Sequence, residues 1–140
     1  FLIQLGALGA PVLQGLETLW AISVDYSLFR TALVEFFRTF LDSMGVEAVS
    51  WYPFLLTVIS ECTNLASPEH IYCCTDGVLL WSRVMEYALE MNELLLVLYR
   101  DRLLPLLDRG EEFVDKGIRV VEAYVRLGGL DFLHMFGQQV

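Results

Sequence analysis

The chain has 140 residues, enough for one domain with a sizeable core, and 56% of them are hydrophobic against 19% charged. Its mean hydropathy of +0.53 is high for a self-contained soluble domain. A net charge of −9, with Lys116 the single lysine, repels phosphate backbones; it argues against nucleic acid as a partner and suits a basic one.

The opening FLIQLGALGAPVLQGLETLW is apolar. It lacks a basic leader, its uncharged run is short for a bilayer, and Pro11 and glycines interrupt it, so it reads as a buried helix and not as a membrane insertion. That helix covers about 11–23, with Pro11 in its first turn and Val12, Leu16, Leu19 and Trp20 on one side. The apolar excess and an opening Phe1 lead us to expect part of a longer chain whose ends expose surface normally covered by neighbours.

The clearest periodicity is in LFRTALVEFFRTFLDSMG. Leu28, Ala32, Phe36, Phe40 and Met44 fall four apart, with Phe29, Leu33, Phe37 and Leu41 beside them, giving one apolar stripe on a 3.6-period helix. Arg30, Glu35, Arg38 and Asp42 are expected on the opposite face, with Asp25 or Ser27 as the cap and Gly45 as the stop. A second helix covers about 50–65, capped by Ser50, with Pro53 tolerated in the first turn and Ser67-Pro68 breaking the chain. A third, about 72–90, carries Val78, Trp81, Val84, Met85 and Ala88. A fourth, about 92–107, opens at Asn92, and Pro105 is expected to bend or loosen its last turn. A fifth starts near Gly110, has Glu111 and Glu112 at its positive end, and buries Ile118, Val121, Tyr124 and Val125. Gly128-Gly129 stops it, and LDFLHMF begins a sixth.

No segment alternates with period two, so strands have no support. The helices come in pairs, 27–65, 72–107 and 111–140, after a repeat remnant at 1–24; the first two span roughly forty residues each, the period of HEAT-type hairpins, and the third runs from 111 to the end of the sequence. Two amphipathic helices cannot bury both apolar faces alone, so each hairpin must stack on the next. The expected fold is an all-α solenoid of about three to four antiparallel hairpins, with a compact helix bundle as its competitor.

Cys62, His70, Cys73 and Cys74 gather around the Ser-Pro turn and supply enough donor atoms for zinc. Structural zinc shows C-x₂₋₄-C or H-x₃₋₅-H spacing, which is missing, and adjacent cysteines seldom ligate one metal; packing at a helix joint is the better account. An odd cysteine number with two adjacent is a poor disulfide framework and points to a reducing compartment. His134 has no second ligand at metal spacing. Asp76-Gly77 reads as a helix entry capped by Thr75 or Asp76. The glycines at 110, 117, 128 and 129 are not a phosphate loop, and no nucleophile is spaced with a base, so neither cofactor, metal nor catalytic residue is expected.

The run YPFLLTVISECTNLASPEHIYCCTDGVLLW resembles the central part of the importin-β superfamily, and within it the importin eleven branch. The resemblance rests on Tyr52-Pro53, Pro68, His70-Ile71-Tyr72, Asp76-Gly77 and Trp81, and it continues through IRVVEAYVRLGGLDFLHMF; it covers about residues 46–140. It implies a nuclear transport receptor, a non-catalytic superhelix of outer A and inner B helices that shuttles between nucleus and cytoplasm. Its implied partners are protein cargo, Ran in its GTP form and nuclear pore proteins. If the second helix of each pair faces inward as in that family, Glu61, Arg100, Asp101 and Asp108 lie on or near the concave side as candidate protein-binding residues. The alternative is a helical-repeat scaffold of another trafficking or regulatory assembly, without dependence on Ran. A weaker third is a small helical-bundle enzyme or lipid-binding protein, which needs a pocket and a core covered by the chain itself.

Overall fold

The computed structural model describes residues 9–67, 70–108 and 114–136. It is an all-α helical-repeat solenoid, with no strand among the described residues. Helix α1 (Gly9–Ile22) passes through a 3-10 turn (Ser23–Asp25) into α2 (Ser27–Met44). A second 3-10 stretch (Gly45–Trp51) leads into α3 (Tyr52–Cys62), and α4 (His70–Tyr87) follows. Next, α5 (Glu93–Leu98), a π-helical turn (Tyr99–Leu103) and α6 (Leu104–Asp108) form one continuous rod. The last helix, α7 (Val114–Phe136), is kinked at Gly129.

The helices form two layers. In one, α2, α4 and α7 stand side by side; in the other, α3 runs beside the rod, and each second-layer helix also packs on the first-layer helix that follows it. Phe37 against Phe54 (ring centroids 5.3 Å apart) and Phe40 against Trp51 (4.5 Å) make α2 and α3 antiparallel. Tyr52 donates from its hydroxyl to the Val84 carbonyl (2.9 Å), and Cys62 lies under Gly77, so α3 and α4 are antiparallel too. Burial of Tyr52 pushes its phenol up to about 12. Arg102 donates to the Ser60 carbonyl at 2.9 Å, tying the rod to α3 in parallel.

Local chemistry explains most element ends. Gly45 (φ 59°) closes α2, donating its N–H to Leu41, and Gly129 (φ 59°) supplies the left-handed residue at the kink in α7. Asn92 caps the rod, its side-chain oxygen accepting from the Leu95 N–H at 2.9 Å. Pro105 has no N–H, and its ring crowds the carbonyl four residues earlier; the π turn just before it absorbs that clash, with the Leu104 N–H reaching Tyr99.

Several expectations need correction. Neither Asp25 nor Ser27 caps α2, whose start at Tyr26 has no side-chain cap, and Ser50 lies inside the 3-10 stretch, which feeds α3 directly. Asp76 and Gly77 are mid-helix; a methyl group at Gly77 would stand 2.6 Å from the Cβ of Cys62, so close helix contact requires the glycine. The buried stripe of α2 is Arg30, Leu33, Val34, Phe37, Phe40, Leu41 and Met44. That is about one residue of rotation away from the expected stripe, which leaves Leu28 88% and Phe36 48% exposed. Ile118 on α7 is exposed as well, while Val120, Val121, Ala123 and Tyr124 are buried. Pro68, Glu111 and Glu112 lie outside the described residues.

Candidate protein-binding face

All four candidate residues are exposed on the second-helix layer, but they divide between two places. Glu61 and Asp101 line one groove of about 260 Å³ between α3 and the rod. Arg100 and Asp108 line a wide, open depression further along the rod with Leu104, Pro105 and Leu107. Asp101 lines the groove while its neighbour Arg100 lines the depression; the two still pair at 3.0 Å in solvent.

Glu61 belongs to a network that sequence reading missed. Arg30 is 4% exposed, and its guanidinium carbon stacks 3.8 Å from the Trp20 ring centroid. Its Nε donates to the Ser23 hydroxyl (3.0 Å) and its Nη2 to the Trp20 carbonyl (3.0 Å), while Ser23 itself donates to that carbonyl (2.6 Å). The Trp20 indole N–H donates to the Glu61 carboxylate, which also lies 3.8 Å from Arg30. Arg30 was expected on the solvent face. A signal was present: residue 30 stands in helical register with 33, 34, 37, 41 and 44, and its forked donors satisfy groups freed at the end of α1.

Cys62, Cys73 and Cys74 are buried where α3 meets α4. A hydrogen bond with Cys73, then burial, raises the Cys62 thiol so that it stays protonated. The side chain of His70 lies outside the described residues; His134 is exposed in the last turn of α7. Among the described residues no group of three or more His, Cys, Asp or Glu is placed to hold a metal ion. Nor is any helix there long and apolar enough to cross a membrane.

A family model described as importin-11-like, TPR repeats, matches residues 31–140. The chain belongs to the importin-11-like family. The match begins before the stretch in which the resemblance was legible and takes in the helix containing Phe36 and Phe40. The family is the importin-11 branch of the importin-β superfamily, the group that the resemblance pointed to. Importin-11 of Mus musculus and of Homo sapiens are each 27% identical over 125 residues, which is 89% of this chain and 13% of theirs. The importin beta-like protein kap113 of Schizosaccharomyces pombe is 30% identical over 78 residues, 56% of this chain and 8% of its own length. No solved structure matches the chain. The importin-11-like description calls the repeats TPR, where the roughly forty-residue period suggested the HEAT type. Both are antiparallel helical hairpins that bury their faces by stacking, which is the architecture present here.

Proposed function

We propose that the chain is a non-catalytic, cargo-holding segment of a nuclear transport receptor that shuttles between nucleus and cytoplasm, is regulated by Ran in its GTP form and passes nuclear pore proteins. Its repeat units are residues 27–65, 72–107 and 111–140, with 1–24 left from a preceding one. Family membership carries this reading. The two-layer array supports it, because such a solenoid offers a long surface for reversible protein binding. Glu61, Arg100, Asp101 and Asp108 are its contact residues, and the net charge of −9 favours cargo with a basic surface.

Immobilised Ran tests it. The full-length protein is expected to be captured by Ran with GTP bound but not GDP, and capture should release the protein it had carried. Capture strengthened by that cargo would make the receptor an exporter. No nucleotide-dependent capture would end the transport reading and favour a scaffold in another assembly.

A further inference from the structure

We draw no further inference here: the strongest candidate, the exposed apolar patch that Ile22, Val24, Tyr26 and Phe29 form at the corner between α1 and α2, is an unpartnered face, and nothing in the structure shows what covers it.

Discussion

At the front of the array, between α1, α2 and α3, a buried guanidinium is enclosed by the Trp20 ring, the Ser23 hydroxyl and the Trp20 carbonyl, with Glu61 at the rim. At the rear, between α4, the rod and α7, the same kind of space is filled by Trp81, Tyr99, Tyr124 and Phe132. The rear joint is aromatic, yet a hydrogen-bond chain runs through it as well. The Trp81 indole donates to the Tyr124 hydroxyl (3.2 Å), which donates in turn to the Leu95 carbonyl. Burial raises the Tyr124 phenol, so it stays a donor. The rings meet edge-on or tilted, Tyr99 lying 4.9 Å from both Tyr124 and Phe132. The difference teaches that a stacked repeat can be closed by area or by hydrogen bonds. The two should fail differently when cut.

The deepest cut is at the rear. Tyr124→Ala removes a fully buried ring that touches three others and should cost about 3–5 kcal/mol in urea denaturation. A loss under about 1 kcal/mol would mean that the joint closes without it. At the front, Arg30→Ala should cost about 1.5–3 kcal/mol, because two acceptors lose a charged donor. Arg30→Lys should restore little, since an ammonium cannot reproduce both the fork and the stacking. If instead Arg30→Met raised stability, the front joint would be closed by area like the rear one, and the contrast would disappear. The smallest effect sharpens the rear. Asn92→Ala removes the cap whose amide partner, Leu95, offers its carbonyl to Tyr124; about 1 kcal/mol is expected, with faster hydrogen exchange at the Leu95 amide.

Breaks set by one residue were legible: Gly45, Asn92 and the disturbance before Pro105 each follow from a local preference for turn, cap or missing donor, while Gly128-Gly129, expected to stop a helix, kinks α7 at Gly129. The buried face of α4 was legible too, as Val78, Trp81, Val84 and Met85 share one face and all four are covered. On α2 the apolar residues run so far around the helix that two stripes compete, and periodicity cannot choose between them. The neighbours choose, and Leu28 and Phe36 lose to Arg30. The candidate charges lie exposed on the second helices, but their division into a groove and a separate depression depends on how the rod lies against α3.

Sequence by itself determined that this protein is all-helical, that its helices pair at a period near forty residues, and that its pattern is that of an importin-like solenoid. Those properties are written in local spacing, which each helix carries alone. Only the tertiary structure decided which face of α2 is covered, that Arg30 is buried, that Gly77 is needed for the approach of Cys62, and that Glu61 and Asp101 share one groove. These depend on pairs tens of residues apart, brought together by the rotation of one helix against the next.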